Sequence, residues 1–137
     1  MSQSLPAVKT LTRSMPMELL TPDTTVRIDT TLGYTSRNPH ALSITFHLLD
    51  PDPVVWHLDR EMVVIGSLAP TGDGEVHLRP AADGTLLLRL GPAGHRAEVL
   101  VDANGLTAVV RETFALVPQG TEEHHIDWRP LLAALGR

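Results

Sequence analysis

The sequence predicts an α+β fold, an antiparallel sheet of about six to seven strands packed with two or three helices. Three observations lead there. Several short segments alternate apolar and polar residues with period two, the mark of strands with one face on a core and one in water. Clusters of Pro, Gly, Asn and Asp separate these segments as turns do. From Asp102 onward the period lengthens to that of an amphipathic helix, so the helices come late.

Met1 to Ser14 is mostly small and polar, without periodicity, and reads as a flexible tail ahead of a single domain over residues 15–137. Met15 to Leu20 is a first short strand, in which Pro16 suits an edge because it donates no ladder hydrogen bond. Pro22-Asp23 turns the chain, and Val26 to Tyr34 alternates weakly, Val26 and Ile28 against Arg27 and Asp29. The clearest strand follows the turn Ser36-Arg37-Asn38-Pro39: Leu42, Ile44, Phe46 and Leu48 point one way, Ser43, Thr45 and His47 the other. Asp50-Pro51-Asp52-Pro53 is a turn, since each proline biases its predecessor away from helix. Val54 to Leu58 then completes a hairpin.

Asp59 is placed to cap a short helix by accepting free N–H groups of its first turn, and Met62, Val63, Ile65 and Gly66 continue it. Pro70 to Gly74 is a loop. Two strands follow, Glu75 to Arg79 and Thr85 to Leu90, joined by Ala82-Asp83-Gly84. Ala97, Val99 and Val101 line one face of a further strand. Asp102 caps a helix whose Leu106, Val109, Val110 and Phe114 recur at helical spacing, and Pro118 with Gly120 ends it. Asp127 caps a terminal helix carrying Leu131, Leu132 and Leu135 and finished by Gly136. No internal repeat and no interdomain linker is visible in the sequence.

A chain of 137 residues buries roughly two-thirds of the surface its unfolded form exposes, enough for one core without disulfides or a structural metal. A net charge of −5 opposes binding to a phosphate backbone, which needs lysine and arginine to displace counterions. The absence of cysteine removes disulfide scaffolds, thiolate zinc sites and cysteine nucleophiles together. Met1 to Thr12 lacks the apolar run of a signal peptide, and no stretch approaches the ~20 apolar residues of a membrane span. A cytoplasmic protein without membrane insertion is expected.

The histidines are the main chemical temptation. His124 and His125 stand beside Glu122, Glu123 and Asp127, but adjacent residues of an extended segment point to opposite faces, and no His-x-x-x-His spacing makes ligands converge. The segment reads as a polar, partly exposed approach to the last helix, and no metal ligand is assigned. His47 and His57 lie on neighbouring strands of the hairpin and read as its solvent face rather than as a pH-sensing pair. No Gly-x-Ser-x-Gly elbow places a nucleophile beside a base, and Gly72-Asp73-Gly74 is followed by a strand rather than by the helix a phosphate cradle needs. No catalytic residue and no cofactor site is assigned. Trp56 and Phe46 fit apolar strand positions; Trp128 either packs on the sheet or marks an interface, where tryptophan is enriched.

Four segments, in order, resemble the SsgA-like proteins of sporulating actinobacteria. Leu32-Gly33-Tyr34, Asn38-Pro39-His40-Ala41-Leu42 and Thr45-Phe46-His47 are similar to the family's Leu-x-Tyr…Asp-Pro-Tyr-Ala-Val…Thr-Phe-His block, with His40 where tyrosine and Asn38 where aspartate is usual. Val55 to Glu61 resembles Val-x-Trp-x-Phe-Ala-Arg-Asp. Pro70 to Pro80 resembles Pro-Thr-Gly-x-Gly-Asp-Val-x-Val-x-Pro, and Val117 to Glu122 resembles Val-Pro-x-Gly-Thr-Glu.

The resemblance implies a non-catalytic regulator of sporulation-specific cell division, located in the cytoplasm at the septum. Its implied partners are divisome proteins, namely the tubulin-like FtsZ or another SsgA-like protein. The implied fold is the whirly type of single-strand-binding proteins, which keeps single-stranded nucleic-acid binding as the alternative function. Exposed sheet edges are liabilities unless covered or paired, so a homo-oligomer is expected, a trimer by resemblance.

Overall fold

A single antiparallel sheet of eight strands organises the computed structural model, which describes residues 4–48 and 52–136. In chain order the elements are β1 (Thr10–Leu20), β2 (Thr25–Thr35), β3 (Ala41–His47), β4 (Val54–Asp59), α1 (Arg60–Gly66), β5 (Thr71–Asp73), β6 (Val76–Pro80), β7 (Thr85–Leu90), β8 (Ala97–Asp102), α2 (Ala103–Leu116), a 3₁₀ turn (Glu122–His125) and α3 (Arg129–Ala134). The strands lie in the order β4-β3-β2-β1-β8-β7-β6-β5. Each half of the sheet is therefore a four-stranded meander followed by a helix, and the halves meet where β1 pairs with β8. The repeat exists in topology although none is visible in the residues.

Period two places the core. Leu32, Leu42, Ile44, Leu78, Leu86 and Leu88 project from one face of the sheet and are buried beneath Val63 of α1 and Leu106, Val109 and Val110 of α2. The opposite face of the first meander carries Thr31, Gly33, Ser43, Thr45 and His57, aligned across β2, β3 and β4. At Gly66 a Cβ would stand 2.7 Å from Leu78 Cδ2, so only glycine lets the end of α1 sit this close to β6.

Two strand boundaries correct the sequence reading, and the sheet has eight strands rather than six or seven. β1 begins at Thr10, not Met15, so Thr10 to Ser14 belong to the sheet rather than to the tail. Pairing with β2, from Thr10 opposite Thr35 to Leu20 opposite Thr25, imposes extended backbone on residues that show no apolar alternation. β5, read as loop, is a three-residue edge strand held by β6, with Thr71 opposite Leu78. Leu48, expected inward, lies just beyond the end of β3 and is exposed. Of the expected turn Asp50-Pro51-Asp52-Pro53, Asp50 and Pro51 lie outside the described residues.

β1 pairs with β8 only over Glu18 to Leu20. The next rung toward its N-terminus would fall on Pro16, which has no N–H to give, opposite Asp102, where β8 ends and α2 begins. Beyond that point α2 flanks β1: Arg13 Nη2 bonds Glu112 Oε1 at 3.0 Å and Lys9 Nζ donates to the Leu116 carbonyl at 3.2 Å.

Two of the three expected helix caps form. Asp59 Oδ1 accepts the Glu61 N–H at 2.8 Å, and Asp102 Oδ2 accepts the Gly105 N–H at 2.7 Å. The third does not form as expected. The cap position of α3 is Trp128, while Asp127 binds the Arg129 N–H at 3.1 Å and the Arg129 guanidinium at 2.8 Å. Asp102→Ala should lower unfolding free energy by about 1 kcal/mol, the usual worth of an N-cap, in a urea titration followed by circular dichroism.

Candidate functional site

Arg60, the first residue of α1, is fully buried. A cation there opposes the positive end of its own helix dipole, so its interactions must lie elsewhere. They lie at the C-terminus of α2, where the Thr113 carbonyl accepts the Val117 N–H at 2.9 Å and has a second lone pair free, and where the Val117 carbonyl follows the last helical residue. Arg60 Nη1 donates to the Thr113 carbonyl at 3.0 Å, and Nη2 donates to the Val117 carbonyl at 2.8 Å and to Glu122 Oε2 at 2.9 Å. The guanidinium lies over the Phe114 ring, 4.1 Å from its centroid, and 5.4 Å from that of Tyr34.

Glu122 is held as tightly. Its Oε1 accepts the Gly120 N–H at 2.7 Å, and Thr121 Oγ1 closes the same loop on the Pro118 carbonyl at 2.7 Å. Gly120 has φ +90°, so this tight return needs glycine. Burial pushes the Glu122 carboxyl up, but hydrogen bonds from backbone N–H groups and from the Arg60 guanidinium outweigh it and hold the group below the ordinary carboxylate value. Tyr34, the third member, donates its hydroxyl to the Pro39 carbonyl at 2.8 Å. Its phenol is raised above the ordinary value, chiefly by burial and against the attraction of Arg60.

This buried node fixes the surface beyond it. The 3₁₀ turn Glu122–His125 follows directly, with His125 buried and His124 exposed. Burial, then the positive charge of Lys9, Arg37 and His124, holds the His125 imidazole below its ordinary value, and its Nδ1 has no hydrogen-bond partner. Arg37 Nη1 donates to the His125 carbonyl at 3.4 Å. An open cleft of about 970 Å³ lies between Ser4 to Pro6 and the 3₁₀ turn with α3, with Arg37, His124, Trp128 and Arg129 on its walls. Both signs of charge and an exposed indole line it, a chemistry suited to binding a protein surface.

The sequence candidates separate in space. Glu122 turns inward to Arg60, Asp127 is taken by Arg129, and His124 and His125 diverge. Among the described residues no three His, Asp or Glu side chains are grouped to hold a metal. His57 lies opposite Ser43, whereas His47 lies opposite Asp29 and bonds Thr31 Oγ1 at 2.7 Å, so the two histidines do not face each other. The Gly72 loop is part of an edge strand, where His77 reaches the Gly74 carbonyl at 3.1 Å. Phe46 is buried in the core and Trp56 packs partly buried against it. Trp128 stays 46% exposed beside the cleft.

Sequence reasoning missed Arg60 as the centre. Its signal was available: Arg60 and Val63 are three apart on a short helix, which puts the cation on the core-facing side.

Three of the four blocks quoted above converge here, Tyr34 from the first, Arg60 from the second and Glu122 from the fourth. Comparison with known proteins agrees with them. Residues 28–122 match the family model described as Streptomyces sporulation and cell division protein, SsgA. Two proteins named sporulation-specific cell division protein SsgB are similar. That of Thermobifida fusca is 31% identical over 85% of this chain and 88% of its own. That of Frankia casuarinae is 32% identical over 91% and 90%. The crystal structure of an SsgA-like sporulation-specific cell division protein from Thermobifida fusca superposes with a TM-score of 0.82, at 29% identity over 98% of this chain and 99% of that one. A structure from a study of SsgB mutations and longitudinal cell division during sporulation of Streptomyces coelicolor gives 0.79, at 25% identity over 87% and 97%.

Arg60→Ala should cost about 3–5 kcal/mol of stability by urea denaturation, because it leaves the buried Glu122 carboxylate without its counter-charge and takes a donor from the Thr113 and Val117 carbonyls. A loss below about 1 kcal/mol would remove the pair from its central place. The pH dependence follows from His125. An unfolded histidine takes its proton near the ordinary 6.5, the folded one only lower, so stability is complete above that value and is lost as pH falls through it. Glu122 acts in a lower window, its contribution present above the ordinary 4.5 and lost as pH falls through its depressed folded value. The melting temperature should fall between about pH 7.5 and 5.5, and His125→Gln should flatten that fall.

Proposed function

The chain belongs to the SsgA family of sporulation and cell division proteins, and from that premise we propose that it is a non-catalytic adaptor of sporulation-specific septation. The observation that carries this reading is the use to which the family blocks are put. Tyr34, Arg60 and Glu122 are spent on one another and on backbone carbonyls inside the fold. They form no nucleophile beside a base and present nothing to a substrate. What remains to act is the surface they position, the cleft and the exposed α3.

In this reading the chain is one SsgA-like domain behind a short N-terminal tail. It acts in the cytoplasm at the septum, helps to place the division site, and binds divisome proteins, FtsZ or another SsgA-like protein. It assembles as a homo-oligomer, a trimer by family resemblance. No helix among the described residues is long and apolar enough to cross a membrane, which fits attachment to the septum through a protein partner.

Single-stranded nucleic-acid binding on a whirly-like fold has less support. Such binding stacks bases on aromatic rings beside basic side chains. Here Phe46 and Trp56 lie against the core, and the chain carries a net charge of −5.

A fluorescent fusion in a sporulating actinobacterium should form ladders at sporulation septa, and affinity capture from those cells should retain FtsZ or an SsgA-like protein. Diffuse fluorescence throughout septation, with neither protein retained, would overturn the proposal.

A further inference from the structure

We propose that the groove between α1 and α2 docks a short acidic-apolar segment of a partner protein, with one apolar side chain seated between the helices and a carboxylate beside it on Arg111. The inference rests on the adaptor reading and gives it a surface apart from the cleft beside α3, since no residue lines both.

The groove already has an apolar floor. Val63 of α1 and Val110 of α2 are buried at its base, Phe114 lies partly exposed toward the C-terminal end of α2, and Val64 stands 45% exposed on the α1 side. Its volume is about 390 Å³. That is near the lower end of the roughly 300–1,000 Å³ of small-ligand sites, which suits an anchoring side chain rather than a whole helix. Two hydroxyls set what the backbone of the occupant must offer. Ser67 Oγ donates to the Val64 carbonyl at 2.7 Å, and Thr107 Oγ1 donates to the Ala103 carbonyl at 2.8 Å. Each has given its single proton, so both oxygens are left as acceptors, the complement of peptide N–H groups.

Charge fixes the rest of the occupant. Of the charged side chains on the two helices, Arg60 is buried against Glu122, Glu61 accepts from Gln119, and Glu112 pairs with Arg13. Arg111 is exposed, lines the groove, and makes no ion pair among the described residues. An apolar floor with one free cation at its edge is matched by an apolar side chain with a carboxylate next to it. The net charge of −5 does not oppose this, because charges beyond the Debye length of about 8 Å are largely screened and the local cation decides. A second copy of the chain is the poorer occupant. Its exposed α3 opens on Arg129, a like charge, and carries no carboxylate for Arg111.

The test is selection of twelve-residue peptides from a random phage-displayed library on the full chain, followed by fluorescence anisotropy with a labelled synthetic copy of an enriched peptide. Enriched sequences should place Asp or Glu beside a large apolar residue. Arg111→Glu should weaken the peptide about fivefold or more, the worth of a good exposed ion pair, and a peptide with Lys in place of the acid should regain that loss on the variant. Val64→Asp should weaken it at least as much, whereas Trp128→Ala, in the other cleft, should leave it unchanged. All three positions are exposed, and far-ultraviolet circular dichroism and melting temperature check the fold. No enrichment, enriched peptides without an acid beside an apolar residue, binding indifferent to Arg111 or Val64, or peptides that copy residues 128–135 would each overturn the proposal. If the fluorescent fusion still gathers at septa after such a result, the adaptor reading stands without this site. If the fusion is diffuse while the selection succeeds, the site stands and the septation role falls.

Discussion

The guanidinium of Arg60 is a charge removed almost wholly from water, and the rest of the molecule is arranged so that it can remain charged there. Desolvating such a group costs several kcal/mol, which is recovered only if geometry is good and every donor has an acceptor. The planar fork meets most of that demand because it reaches two carbonyls at the end of α2 and a carboxylate at once, with the Phe114 and Tyr34 rings beside it. A lysine would offer a point charge in place of a fork. Arg60 Nε alone lacks an acceptor.

Joining these partners ties together distant parts of the chain. Tyr34 belongs to the first meander, Arg60 to the first helix, Thr113 and Val117 to the end of the second, and Glu122 to the 3₁₀ turn. The two halves of the sheet meet through only three residues of β1 and β8, so the link between α1 and α2 is a second clasp between halves that the sheet joins narrowly. Outside the node, Gln119 Nε2 donates to Glu61 Oε1 at 2.8 Å and continues the clasp to the surface.

Recognition and stability are thus assigned to different layers. Inside, the Arg60–Glu122 ion pair holds the 3₁₀ turn in place, with His125 buried at its end. Outside, the same turn aims α3, whose Trp128, Leu131, Leu132 and Leu135 remain about half exposed or more. Short helices draw most of their stability from tertiary packing, so α3, with its apolar side chains largely in water, is marginal on its own. A scaffold of this kind keeps its contact surface separate from its keystone, and the surface residues can be changed without disturbing the core.

The strands around Leu42 to Phe46 and Thr85 to Leu90, the helix from Ala103 and its Asp102 cap were legible because each depends on local periodicity or a local hydrogen bond. So was the antiparallel α+β class. The strand character of Thr10 to Ser14 and of Thr71 to Asp73 was not, because the hydrogen bonds that hold them come from β2 and β6 rather than from their own residues. The family blocks marked Tyr34, Arg60 and Glu122 individually, and nothing in their spacing says that they meet. Arg60 and Glu122 are 62 residues apart, and a buried charge looks like any surface arginine until tertiary structure supplies its partner. The sequence by itself determined most of the elements and the family. Only the folded chain decided which polar groups are inside, because burial is a property of the packed whole and a charge can be buried only where a distant partner is brought to meet it.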